Sequence, residues 1–422
     1  MWQHLKVSLT DLISSVSEAM DLVDSSLVDH QVRTGYVCTE LARAAKLQHT
    51  ADERLFLSAM LHDIGALSPE EKIGIHEIED LRPEPHCLRG AKLFREADWL
   101  APSAEIIEWH HTSYISHLEE GRTLANENVL LSQMLLLADR LERAIDRTQF
   151  ILHQVDHLKQ YVIKLEGKIL HTDVVVLFNE ISKSEAFWLE LVSRHLSSRL
   201  KNRNPLRLIE INFKSAMALA SVFKDMTDFR SRFTATHSVG VARCAYGIAE
   251  KIGFSAKDLQ QIELAGFLHD IGKLVVPNSI LCKPGKLTPD DYSVIRQHSY
   301  YSNRILSRVR GFEQIAEWAS SHHERLDGSG YTEHLVRHEL DLGARVVAVS
   351  DVATAISEHR PYRESGDQDV VIRELRSMVK NNKLECSIVD VLESQYSDIM
   401  GAAFDAQEAD AQRYVERYAL IE

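Results

Sequence analysis

Seven histidine and aspartate positions occur twice in this 422-residue chain at almost the same spacing, and no other feature limits its fold so tightly. The later set is His237, the pair His269-Asp270, His298, the pair His322-His323 and Asp351. The earlier set is His30, His62-Asp63, His86, His110-His111 and Asp139. The first three members of each set are offset by 207 positions and the last four by 212, so a single five-residue length change accounts for the whole difference. Chance does not align seven ligand-type residues in this way. The chain is therefore a tandem repeat of one metal-binding domain, with a period of domain length rather than that of a solenoid unit.

The length accommodates two domains and a connector. Apolar periodicity is helical almost throughout, as in Ile262, Ala265, Gly266 and Leu268 before His269. The run Val174–Phe178 is the best strand candidate, although so short a stretch is equally compatible with a buried helix. The fold class expected is all-α: two tandem helical domains joined by a long helical connector, with boundaries at 1–148, 149–205 and 206–422. Leu141, Ala144, Thr148, Ile151, Val155, Leu158, Val162, Leu165 and Ile169 alternate steps of three and four. That seam suits either a long helix packed on its own domain or a helix that pairs two chains as a homodimer.

A formal charge of −14 argues against long nucleic acid as a partner, since neutralising its backbone needs a basic surface. No apolar run reaches the roughly 18 residues of a membrane span, so no membrane association is expected. The N-terminus lacks a secretion-signal pattern. Cys38, Cys87, Cys244, Cys282 and Cys386 are scattered without a close pair, as reduced thiols of a cytoplasmic protein are.

Five histidines and two aspartates are too many for one tetrahedral ion and suit two ions of higher coordination. Two divalent ions about 3.5–4 Å apart generate a bridging hydroxide and stabilise charge developing on a phosphate. Nitrogen and oxygen ligands favour Fe or Mn, with Zn, Ni or Mg also compatible.

The later half carries further motifs. His269-Asp270-Ile271-Gly272-Lys273 precedes Lys283-Pro284-Gly285, and His322-His323-Glu324 precedes Asp327-Gly328-Ser329-Gly330-Tyr331 and Arg360-Pro361-Tyr362-Arg363. Over roughly residues 220–400 this resembles the HD-GYP family, a branch of the HD metal-dependent phosphohydrolases. The resemblance implies an all-helical catalytic domain that hydrolyses a cyclic dinucleotide, cyclic di-GMP or 3',3'-cyclic GMP-AMP, to the linear dinucleotide through a metal-bridged hydroxide. It implies metal ligation by His237, His269, Asp270, His298, His322, His323 and Asp351, with Asp270 bridging. It makes Lys273 the group beside the scissile phosphate, and gives Arg360, Arg363 and Tyr331 to the substrate. Guanidinium forks and an ammonium suit phosphate oxygens chemically as well.

Three positions depart from the family pattern. Thr332 replaces a proline. Phe233 stands where three-metal members carry Glu, which points to two metals. Thr354 stands where many members have a second Asp. A degenerate cyclic-dinucleotide receptor, and a phosphohydrolase of another nucleotide, are the alternatives. The earlier copy resembles a plain HD domain. Ala66 stands where the later copy has Lys273, and Thr112-Ser113-Tyr114-Ile115 follows His110-His111 in place of the signature loop. His30, His62, Asp63, His86, His110, His111 and Asp139 form a second metal set. They belong to an inactive regulatory domain, a second hydrolase or a packing module.

Overall fold

The computed structural model describes residues 6–22, 27–66, 71, 85–228, 236–283, 285–358 and 366–418, with side chains to 413. Arg360, Arg363 and Phe233 lie outside the described residues. The chain divides into two compact units, one from Ser8 to Ile209 and one from Glu210 onward. The described residues are almost entirely helical, with strands of two residues each at Val7–Ser8 and Glu210–Ile211. No helix among them is long and apolar enough to cross a membrane.

In the second unit the helix His237–Lys251 is central, packed against Ala256–Leu268, Leu342–Ser357 and Tyr396–Tyr418. Local signals start these helices where the site needs them. Ser255 caps Ala256–Leu268 by accepting from the Asp258 amide. Thr288 and Asp291 form a capping box with Pro289 at the first helical position of Pro289–Leu306. Asp341 caps Leu342–Ser357 and also accepts from Trp318 Nε1 at 2.6 Å, tying that helix start to Glu313–Ser320.

The first unit repeats the plan. The helix His30–Ala45 packs against His49–Leu61 and Glu127–Arg143. The stretch 149–205 is helical but is not one helix. It forms Val155–Leu165, Thr172–Ile181, Glu185–Leu191 and Leu196–Arg203, after a short 3-10 turn at Ile151–His153. Glu127–Arg143 stops before a loop in which Asp146 accepts from the Thr148 amide at 2.9 Å. The next helix stops before Gly167, whose φ of +74° no L side chain readily adopts.

The apolar seam is spent inside this unit. Of the seam, Leu141, Ile151, Leu158 and Val162 belong to its buried core with Val37, Leu41, Leu135, Val174 and Phe178, and Ala144, Val155, Leu165 and Ile169 pack against that core. The stripe that raised a homodimer is therefore covered by the chain itself. Thr172–Ile181 and Leu196–Arg203 lie against His30–Ala45, as Tyr396–Tyr418 lies against His237–Lys251. Each unit needs helices beyond its last aspartate to cover its central helix. The run Val174–Phe178 resolves as helix, capped by His171, whose Nδ1 accepts from the Asp173 amide.

Candidate metal centres

A sharp local turn builds the second unit's site. The helix ending at Leu268 gives way at His269-Asp270 to a 3-10 turn, Ile271–Val275. That change throws the two adjacent side chains toward one cluster. Gly272 allows it, because a Cβ there would sit 2.0 Å from the His298 carbonyl oxygen and 2.5 Å from the Ser302 amide nitrogen. The turn thus lies directly on the helix Pro289–Leu306 that carries His298.

The seven side chains of the later set converge. Asp270 Oδ2 is 3.2 Å from His269 Nε2, and its Oδ1 is 3.4 Å from His298 Nε2 and 4.0 Å from His322 Nε2. One carboxylate thus faces two groups of imidazoles, as a bridging ligand must. His298 and His322 present Nε2 atoms 3.3 Å apart. His237 Nε2 lies 3.2 Å from Asp351 Oδ1, and His323 Nδ1 lies 3.8 Å from Asp351 Oδ2. Within this cluster His237, His269 and Asp351 form one closely spaced group and His298, His322 and His323 another.

The tautomers are set by the helices. His269, His298 and His322 each donate Nδ1–H to the carbonyl three residues earlier, at Gly266, Ile295 and Ala319. This leaves the Nε2 lone pairs facing inward. Burial, with the His269 imidazole next, holds His322 down at about 3, and burial with His322 holds His323 well below its usual value. Burial would raise Asp270, but His269 and Lys273 hold it well below the carboxylate range. Most of the set thus stands ready as neutral imidazole or carboxylate, the forms a cation requires. These donors, all nitrogen and oxygen, fit two divalent ions.

His237 differs. Burial would depress it, but Glu358 and Asp351 draw its pKa up to about 10. Its Nδ1 is 3.0 Å from Glu358 Oε2, and Glu358 in turn accepts from Gln407 Nε2 at 2.7 Å. Such outer carboxylates orient a ligand imidazole. Glu358→Ala is therefore expected to weaken metal affinity by about 10–100-fold, read by metal titration of the purified protein. Turnover should return in excess metal. An unchanged metal affinity would remove Glu358 from this role.

Lys273 pairs with Asp270 Oδ2 and so brings an ammonium into the cluster. The Tyr331 ring lies 4.8 Å from the His323 ring, with the Arg296 guanidinium 4.7 Å over its centre. The loop carrying Tyr331 is anchored by the buried Glu324, which accepts from the amides of Glu333 at 2.8 Å and Leu335 at 3.1 Å. That anchor does not need a proline at Thr332. Thr354 is fully buried and packs beside Gly240.

The earlier set also converges. His30 Nε2 is 3.2 Å from His62 Nε2, 3.4 Å from Asp139 Oδ1 and 3.7 Å from Asp63 Oδ2. His86 and His110 bring their Nε2 atoms to 3.3 Å. His62 and His110 donate to Ala59 and Ile107, as their counterparts do. His30 Nδ1 meets Glu142 at 2.6 Å. Glu142 corresponds to Thr354 in the repeat frame, and Glu358 stands one helical turn later. The same outer carboxylate is thus supplied from two different positions.

Three differences separate the copies. Where Lys273 meets Asp270, the Gln31 amide donates to Asp63 Oδ2 at 3.0 Å, a neutral group for a cation. Where the later copy has Ser299, the earlier has Cys87. Burial raises its thiol pKa, but His110 and His86 outweigh that and bring it to about 6. After His111, Ser113 caps the short helix Tyr114–Glu119 in place of a signature loop.

Several residues here went unmarked in the sequence. Extending the same offset would have found Asp21 and Asp228, 207 positions apart and both buried, which accept from the Gln31 backbone N–H and the Ser238 hydroxyl respectively. Glu358 and Arg296 carry no comparable signal.

Comparison with known proteins agrees with this geometry. Two family models, each described as an HD domain, match residues 27–144 and 217–388. The chain is 29% identical over 399 residues to 3'3'-cGAMP-specific phosphodiesterase 1 of Vibrio cholerae, covering 92% of this chain and 91% of that protein. It is 37% identical over 155 residues to a cyclic di-GMP phosphodiesterase of Thermotoga maritima, covering 36% of this chain and 42% of that one. A crystal structure of a cyclic GMP-AMP specific phosphodiesterase from V. cholerae shares the fold, with a TM-score of 0.62 at 21% identity, over 95% of this chain and 98% of that chain. The chain carries two HD domains in tandem.

Proposed function

We propose that the second unit is a metal-dependent phosphodiesterase of cyclic dinucleotides. In this reading it prefers 3',3'-cyclic GMP-AMP to cyclic di-GMP and releases the linear dinucleotide first. The observation that carries it is an ammonium, Lys273, held on Asp270 within a buried cluster of seven ligand-type side chains. The substrate class is supported by the relatives, and the base preference by the one that is similar along nearly the whole chain.

His237, His269, Asp270, His298, His322, His323 and Asp351 would hold two divalent cations, with iron or manganese favoured by a set that offers no sulfur. Bound there, such cations supply Lewis acidity and ionise water at neutral pH. Lys273 offsets the negative charge that grows on the phosphate oxygens, from a site where water competes poorly. Tyr331, beside His323 and with the Arg296 guanidinium over its ring, places a phenol and a cation next to the cluster for the nucleotide. By the family resemblance, Arg360 and Arg363 would hold substrate phosphates. The first unit, with Ala66 in place of that lysine, binds metal without hydrolysis and regulates the second. The scattered free thiols fit a cytoplasmic site of action.

Incubating full-length, metal-loaded protein with each nucleotide and separating the products tests this. Linear product from both, formed faster from cyclic GMP-AMP, is expected. Faster cleavage of cyclic di-GMP overturns the preference. Tight binding without product over hours overturns the enzyme reading in favour of a receptor.

A further inference from the structure

Cys87 follows His86 as Ser299 follows His298, so a thiol stands in the earlier pocket where the later one has a hydroxyl. Its side chain is fully buried. Sγ lies 3.6 Å from His86 Nε2 and 4.0 Å from His110 Nε2, and those two nitrogens are 3.3 Å apart. The ligand atoms of His86, Cys87, His110 and His111 all lie within 4.8 Å of one another, and all four residues are buried. His111 Nε2 is buried without a hydrogen-bond partner among the described residues. Tetrahedral zinc, with bonds of about 2.05 Å to nitrogen and about 2.3 Å to sulfur, sets neighbouring nitrogens about 3.3 Å apart and nitrogen from sulfur about 3.6 Å apart. Two of the three separations match that tetrahedron, and the third is a little longer.

We propose that the first unit holds zinc on three histidines and one thiolate, His86, Cys87, His110 and His111. This rests on the reading that the first unit binds metal, and specifies which ligands and which class of ion. Thiolate is a soft ligand, so it selects zinc over manganese or magnesium, whereas the second unit's set does not. Four protein ligands fill a tetrahedron and leave no open position for water or a phosphate oxygen, the arrangement of a structural site. Binding transfers the thiol proton to solvent and involves no redox change. The companion replacements point the same way. Ala66 removes the ammonium, and Gln31 offers Asp63 a neutral amide, so this pocket lacks the lysine that pairs with Asp270 in the other. In the other unit Ser299 Oγ is 3.3 Å from His298 Nε2, and a neutral hydroxyl leaves that ion open to exchange.

Cobalt(II), a spectroscopic stand-in for zinc, tests this on the full-length protein. Wild-type protein should show a thiolate-to-cobalt charge-transfer band that Cys87→Ser lacks. Cys87→Ser should also weaken zinc binding at one class of site by at least about 10–100-fold, leaving the other class unchanged. X-ray absorption on the zinc-loaded wild-type protein needs no variant, and should find sulfur at about 2.3 Å from zinc. A shell of nitrogen and oxygen alone, or a band that survives Cys87→Ser, overturns the proposal while leaving metal binding by the first unit intact. If replacing His62, His86 and His110 together by Ala leaves total metal stoichiometry unchanged, the first unit holds no metal, and both readings fall together.

Discussion

Replacing Asp270 by Ala is expected to lower hydrolysis by the metal-loaded protein by roughly 10³-fold or more, while Asp63→Ala leaves it within about twofold. The asymmetry follows from what each carboxylate touches. Asp270 faces His298 and His322 with one oxygen and His269 with the other, and that second oxygen also holds the Lys273 ammonium. Its removal deprives both imidazole groups of a shared anion and takes that carboxylate from the lysine. Asp63 approaches both His62 and His86 with one oxygen, and its other oxygen takes an amide from Gln31, with Ala66 where a lysine would stand. Lys273→Ala separates the two contributions. It should keep metal content and lose about 10²–10³-fold in kcat, the usual cost of removing one charge-stabilising donor. Product formation and metal content measured on the same preparations check all three variants. Near-wild-type turnover in folded, metal-loaded Asp270→Ala protein would show that the chemistry lies elsewhere.

The duplicated ligand frame was legible because a metal pocket fixes both residue type and spacing. His237 and His30 each open a helix, the His-Asp pairs each sit at a helix-to-3-10 junction, and one offset maps both. Helical periodicity likewise gave the all-α class. The connector misled, since a seam stepping by three and four describes one long helix as well as several short ones on a common core. The breaks depend on Gly167, on Asp146 turning the chain, and on the first unit's need to cover His30–Ala45. Outer contacts were hidden for another reason. A carboxylate that orients a histidine must reach one nitrogen and nothing more, so Glu142 and Glu358 serve from positions one helical turn apart in the repeat frame. Cys87 was visible as a residue but not as a neighbour. Its meaning comes from His110, brought to it by a helix packing that the sequence spacing does not reveal.

Gly272→Ala is expected to destabilise the second unit by about 3 kcal/mol, at the upper end of the cost of overpacking, and to release its metal. The added methyl would meet the His298 carbonyl oxygen at 2.0 Å and the Ser302 amide nitrogen at 2.5 Å. Both are backbone atoms inside the helix Pro289–Leu306, so no side-chain rotation relieves the contact. Either the 3-10 turn lifts away and carries Asp270 with it, or the helix shifts and carries His298. Each outcome opens the 3.4 Å approach between them, and geometry within a metal cluster tolerates little such displacement. Gly65 is its counterpart, where a methyl would meet the His86 carbonyl at 2.0 Å and the Gly90 amide at 2.5 Å. Denaturant melts that resolve the two compact units, monitored with metal content, can assign each loss to one unit. Gly272→Ala should lower the second unit's transition and abolish hydrolysis. Gly65→Ala should lower the first unit's transition and spare it. If Gly272→Ala keeps wild-type metal content and turnover, glycine at that turn is not required by close packing, and the placement of Asp270 against His298 must have another cause.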